Sequence, residues 1–385
     1  MIFPLIILII AFVSSLSAII LLRPFAIKIG LTDKPNFRKV HAGHIPLIGG
    51  ISVYIGLFTA GILILFFSPT HVNQLMTYLF ASLLMVITGA LDDRFDLSVK
   101  LRIAVQVVIA SIMMFIAGDV ISDLGNILYF TELPLSYLGY PFTIVAVLAA
   151  INAYNMVDGI DGLIGGVSVA TFISLTILFV LSGDMSEAFF CLLCLAVLIP
   201  YFLYNLQLTK YSRKKIFMGD AGSMFIGFTV VWLLAIGTQK GSSGTGLEGG
   251  SFKPVVALWI IALPLIDMVS IMLRRMGKGV SPFQPDRDHL HHIFMRAGFS
   301  SRATLIFITF IALCLSLIGV ATTIHNTPEW MQLVAFIALF LTYKFSLSRI
   351  WRLLKLHRKA KAYRRLIRRK KYKRKCREQA NKSKK

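Results

Sequence analysis

Residues 2–22 run twenty-one positions without a charged side chain, and apolar runs of similar length recur along nearly the whole chain. Roughly 20 apolar residues let an α-helix cross the hydrocarbon core of a bilayer, and backbone placed in lipid must satisfy its own hydrogen bonds. A chain made of such runs is restricted to a bundle of membrane-crossing helices. Eleven spans are predicted, at 2–22, 48–67, 75–91, 101–117, 141–157, 162–182, 187–206, 221–237, 254–273, 303–323 and 330–348. Only 15% of the 385 residues are charged, too few for a soluble domain of this length. The expected fold class is an all-α polytopic membrane protein.

Positive charge sets the expected orientation. Of the 40 Lys and Arg, 18 fall in the connections 23–47, 92–102, 207–220 and 274–302, and 20 lie from Lys344 onward. The opposite connections hold only Lys240 and Lys253. Eleven spans with the N-terminus periplasmic put the basic C-terminus in the cytoplasm. The first run carries no basic residue before it, and its first positive charge, Arg23, follows it, so it reads as an uncleaved span rather than a signal peptide. Residues 1–348 form the expected transmembrane catalytic domain and 349–385 a basic cytoplasmic tail. At that position the tail suits anionic lipid headgroups better than nucleic acid. Cys191 and Cys194 form a C-x-x-C inside an apolar run without nearby His or charge, which reads as helix packing.

Four polar clusters interrupt the apolar chain, and the charge pattern places all four on the cytoplasmic side. A carboxylate costs roughly 2.5 to 3.5 kcal/mol at the centre of a membrane helix, so acids at span ends invite a functional explanation. Asp92 and Asp93 end the third span, with Lys100 just beyond. Adjacent acids repel unless a cation neutralises them, although a solvated helix-ending turn reads equally well. From Asn152 to Gly162, Asn152, Asn155, Asp158 and Asp161 recur every three residues, which would bring their oxygens to one side of a helix or tight loop. Phe217–Ser223 enters the eighth span through Gly219-Asp220, where Asp220 serves either as a helix cap or as a hard-cation ligand beside free N–H groups. Arg287, His289, His291 and His292 lie in the largest inner loop. Three close histidines raise zinc, but the nearby Arg274, Arg275 and Lys278 favour an anion, so phosphate or sugar binding is the main expectation.

These residues closely resemble the polyprenyl-phosphate N-acetylhexosamine-1-phosphate transferases, from about residue 23 to 348. The resemblance is carried by Asp33–Lys39, Ile45–Tyr54, Leu91–Asp96, Asn152–Gly162, Phe217–Ser223 and His289–His292, in family order. It implies that undecaprenyl phosphate attacks the sugar-bearing phosphorus of UDP-N-acetylglucosamine at the cytoplasmic face of the bacterial inner membrane, releasing UMP. It further implies dependence on Mg2+ or Mn2+, inhibition by tunicamycin, and a product that primes O-antigen (lipopolysaccharide) and enterobacterial common antigen.

By similarity, Asp220 and Asn155 hold the metal, and Asp92 and Asp93 orient or deprotonate the lipid phosphate. Asp158 and Asp161 shape the nucleotide-sugar pocket, counted with the catalytic acids. Lys100, Asn152, Arg287, His289, His291 and His292 are the expected substrate-binding residues. Both substrates are anions, so charge neutralisation and in-line positioning matter more than strong base catalysis. A covalent aspartyl-phosphoryl intermediate stays open, as does a homodimer.

Two rivals remain. The branch that transfers phospho-N-acetylmuramoyl-pentapeptide shares the acidic motifs, but the stretch from Ser281 to His292 favours N-acetylglucosamine. A cation-coupled transporter also places acids among spans, yet keeps them near the midplane and often in repeats, whereas no internal repeat is seen here.

Overall fold

The apolar runs fold as helices in the computed structural model, which describes residues 2–33, 44–67, 72–129, 133–208, 214–239, 250–282, 289–347 and 349–350. Helices α1 (Ile2–Ile29), α2 (Gly49–Phe67), α3 (Val72–Phe95) and α4 (Val99–Phe115) come first, with a short antiparallel pair, β1 (Thr32–Asp33) and β2 (Ile45–Pro46), between α1 and α2. Helices α5 (Gly139–Val157), α6 (Leu163–Ser182), α7 (Met185–Asn205) and α8 (Gly219–Gln239) follow. The rest is α9 (Pro254–Ile260), α10 (Ala262–Met276), α11 (Leu290–Ala297), α12 (Ser301–Ile324) and α13 (Glu329–Leu347).

Nine helices among the described residues are long and apolar enough to cross a membrane, which makes this a multi-pass membrane protein. The fourth expected span is α4, at 17 residues. The ninth, expected as one run over 254–273, is instead two helices, α9 and α10, bent by 80°. Pro264 accounts for the break. It has no N–H to donate, and its ring collides with the carbonyl four residues back, at Ile260, where α9 ends.

Helix α8 is the centre of the bundle. It packs against α2, α3 and α5, and 94% of its core window is buried inside the protein. Such burial needs apolar side chains all round, and the stretch from Met224 to Ile236 supplies them. Near its N-terminus the neighbours come backbone to backbone. A methyl group on Gly50 of α2 would overlap the backbone of Gly222, and one on Gly89 of α3 would overlap Ala221. Further along, a methyl on Gly227 would stand 2.7 Å from the Cα of Ile151 on α5. Membrane helices gain no hydrophobic drive from one another, so small residues that permit close van der Waals contact locate their crossings.

The segment before α8 is fixed from the same side. Leu47 bridges Phe217 in parallel, Phe217 N–H donates to Pro46 O at 2.9 Å, and Gly49 and Gly50 N–H groups donate to Phe217 O and Met218 O at 2.9 and 3.0 Å. Cys191 and Cys194 are buried free thiols in α7, as packing residues would be.

Candidate active site at the end of the α8 bundle

Gly219 adopts φ +74°, a left-handed turn that points the first N–H groups of α8 at α3. There the Asp93 carboxylate receives the Asp220 and Ala221 N–H groups at 3.0 and 3.2 Å, and a side chain on Gly219 would run into it. Asp93 thereby caps α8 from a neighbouring helix, with the helix dipole favouring its charge.

Asp92, next to it, is buried. Its oxygens accept from Leu97 N–H at 2.8 Å and from the Arg102 guanidinium at 2.7 Å, tying the end of α3 to α4. The Asp92 carboxyl is also within hydrogen-bonding reach of Asp220. On the other side of Asp220, Asn155 Nδ2 donates to Asp220 Oδ1 and to Ser223 Oγ, both at 2.9 Å. Three carboxylates therefore meet, with Arg102, helix amides and one side-chain amide around them.

Among the described residues no three His, Cys, Asp or Glu side chains form a ready-made metal cluster. That does not count against Mg2+, which is usually bound by one or two carboxylates together with substrate phosphates. The excess of negative charge and the all-oxygen ligand set suit such a cation. Asp220 and the carbonyl oxygen of Asn155 are the atoms that would hold it.

The Asn152–Gly162 motif divides between neighbours instead of converging. Positions three apart on a helix differ by about 60° in direction. Asn152 Nδ2 donates to Gln106 Oε1 on α4 at 3.1 Å and to Leu148 O at 2.7 Å, while Asn155 turns to α8. The helix stops at Val157. Asp158 (φ −70°, ψ 68°) is its C-cap, and Gly162 (φ +74°) starts α6, so Asp158 and Asp161 stand on a turn. Asp161 accepts from Lys215 Nζ at 2.6 Å, both partly exposed, and Lys215 also lies over the Phe217 ring at 5.0 Å. Lys100 is exposed in the first turn of α4. Arg287 and most of the Asp33–Lys39 motif lie outside the described residues.

The histidine cluster meets this turn directly. A Cβ on Gly159 would occupy the His291 ring, so the glycine is what admits it. His289 and His291 stack with centroids 5.8 Å apart, and His291 and His292 tilt at 4.2 Å. His291 is buried, and its Nε2 has no hydrogen-bond partner among the described residues.

Burial, followed by His292 and His289 nearby, lowers the His291 pKa from 6.5 to about 2. Between those values the unfolded chain binds a proton at this position that the folded chain refuses, so stability falls as pH drops below about 6.5. The groups facing it are His292, His289 (held by Asp267) and the turn at Gly159. The expected result is a thermal midpoint in detergent that falls between pH 7.5 and 5.5, and falls less in His291→Asn. Equal pH slopes for the two proteins would show that His291 titrates freely.

Several functional candidates were not legible as such. Arg102 looks like ordinary inner-loop charge, and Gln106 lies in an apolar run. Asp267 on α10 receives His289 Nδ1 at 2.9 Å, Leu290 N–H at 3.3 Å and the Tyr343 hydroxyl of α13 at 2.6 Å.

Comparison with known proteins agrees with this geometry. Residues 75–238, which include Asp92 through Asp220, match the model of glycosyl transferase family 4. The undecaprenyl-phosphate alpha-N-acetylglucosaminyl 1-phosphate transferase of Salmonella typhimurium is 48% identical over 345 residues, covering 89% of this chain and 90% of that protein. Its namesake in Escherichia coli K12 is 45% identical over 341 residues (88% and 89%), and that of Pasteurella multocida 42% over 347 residues (90% and 94%). Such identity along almost the full length of both chains, with the carboxylates gathered at one end of the bundle, makes this chain a member of glycosyl transferase family 4.

Proposed function

We propose that this protein transfers N-acetylglucosamine 1-phosphate from UDP-N-acetylglucosamine to undecaprenyl phosphate, forming undecaprenyl-diphospho-N-acetylglucosamine and UMP. The observation that carries the reading is the meeting of Asp92, Asp93 and Asp220 beside Asn155, within a chain 42–48% identical to transferases of that name. An oxygen of the lipid phosphate forms a bond to the sugar-bearing phosphorus, and the bond from that phosphorus to the UMP oxygen breaks. Mg2+ or Mn2+ bound at Asp220 and Asn155 would neutralise charge on the diphosphate.

The chain's own residues supply the rest. Asp93 fixes the start of α8 and hence the direction of Asp220. Asp92, balanced by Arg102, stands where it would orient the incoming phosphate, and Lys100 at the exposed rim offers that anion a positive charge. The Asp158–Asp161 turn and the histidines packed on it would receive the nucleotide sugar, with Arg287. By the positive-inside pattern this end of the bundle would face the bacterial cytoplasm and its soluble UDP-sugar, with the basic tail against anionic lipid. The product would start O-antigen or enterobacterial common antigen.

The test is radiolabelled sugar-phosphate transfer by the purified full chain in detergent, with and without chelator. Label should enter undecaprenyl phosphate from UDP-N-acetylglucosamine, with UMP released, and chelation should stop it. Transfer from UDP-N-acetylmuramoyl-pentapeptide instead would assign the chain to the peptidoglycan branch. Full activity in excess chelator would remove the cation.

A further inference from the structure

The arrangement around Asp267 is unexplained by the reaction above and is unusual for its place. Asp267 lies in α10, just past the 80° bend, and is 4% exposed. Its two oxygens are shared out. Oδ2 takes His289 Nδ1 at 2.9 Å, while Oδ1 takes the Tyr343 hydroxyl at 2.6 Å and Leu290 N–H at 3.3 Å. An acid so deeply placed among apolar helices is costly unless its partners are well fixed. Here they come from two other elements, the start of α11 and α13.

We propose that Asp267 and Tyr343 are positioning residues for His289, fixing its ring so that Nε2 faces the sugar of the nucleotide substrate. A carboxylate on Nδ1–H settles the tautomer and the ring plane and leaves Nε2 as the nitrogen for a ligand. In that tautomer Nε2 carries the ring's lone pair, an acceptor for a hydroxyl of the sugar. Tyr343 keeps the carboxylate from rotating away. The stacked His289 and His291 rings pass the alignment on to His291, which rests on Gly159 of the acidic turn. A line of contacts thus joins α13 to the Asp158–Asp161 turn. The inference rests on the reading that the histidine cluster binds the nucleotide sugar.

The experiment measures kcat and KM for both substrates in the purified full chain with Mg2+, for Asp267→Asn, Tyr343→Phe, His289→Gln and the double variant Asp267→Asn/His289→Gln. Losing a hydrogen bond to a charged group should raise the KM for UDP-N-acetylglucosamine about tenfold or more in Asp267→Asn, and losing the neutral hydroxyl about threefold in Tyr343→Phe. The KM for undecaprenyl phosphate should hardly move. In the His289→Gln background, Asp267→Asn should add no further loss, because its effect is exerted through that ring.

If Asp267→Asn costs as much with His289 replaced as with it present, Asp267 is a structural residue and the positioning role is overturned. If Tyr343→Phe, which removes a single oxygen and keeps the ring, leaves the nucleotide-sugar KM unchanged, its share of the role is overturned. His289→Gln with a normal nucleotide-sugar KM is a different failure, since it removes the histidine cluster from the substrate site altogether. Thermal unfolding of each variant in detergent separates misfolding from these outcomes.

Discussion

Replacing Asp220 with asparagine is expected to lower transfer about a thousandfold, or roughly 4 kcal/mol of barrier, with the protein still folded and inserted. The substitution keeps the shape of the side chain and its place in the first turn of α8, so the N–H groups that donate to Asp93 stay where they are. What disappears is one negative charge at the point where Asp92, Asn155 and the helix start meet. Steady-state turnover at saturating Mg2+ and the thermal midpoint in detergent, measured together, check it. Near-normal turnover at low Mg2+ would place the cation elsewhere.

The second large effect concerns a residue with no chemistry. Gly50→Val is expected to abolish measurable transfer and to lower the thermal midpoint by several degrees, consistent with overpacking costs of about 1–3 kcal/mol or more. The added methyls would meet the backbone of Ala221 and Gly222, and no flexible side chain is present to give way. Relief requires moving the first turn of α8, which carries Asp220 with it. Gly277→Ala is the control, because its new Cβ would be 3.4 Å from the nearest atom and should change neither quantity. Wild-type behaviour of Gly50→Val would mean that α2 and α8 cross less closely than described.

The helices were legible because length and hydrophobicity suffice to announce a span, and each expected run holds a helix or the bent pair. The bend was misread because Pro264 sits in a run apolar enough to pass as one span, and hydropathy averages over the position of a proline. At the site, the resemblance paired Asp220 with Asn155, and the two side chains touch, but the three-residue spacing also drew in Asn152, which faces α4. Spacing along a helix gives directions, and only the neighbours decide what lies in each. Asp267 left a readable trace, a lone acid in the 254–273 run, yet its partners are 22 and 76 residues away in sequence. Nothing local to α10 signals them.

The contrast between α8 and α13 has a mechanical meaning. Helix α8 is 94% enclosed by protein over its core window, whereas α13 is 17% enclosed and borders lipid along most of its surface. When a bilayer is thicker or thinner than the protein's hydrophobic belt, the mismatch is taken up by tilt of the helices that touch lipid. The carboxylate centre at the head of α8 is insulated from that tilt, while Tyr343 hands it straight to Asp267 and His289. On the site proposed for the donor, membrane thickness would act on one substrate's side of the reaction and not the other, so that the lipid composition around the protein would tune how well it holds its soluble donor.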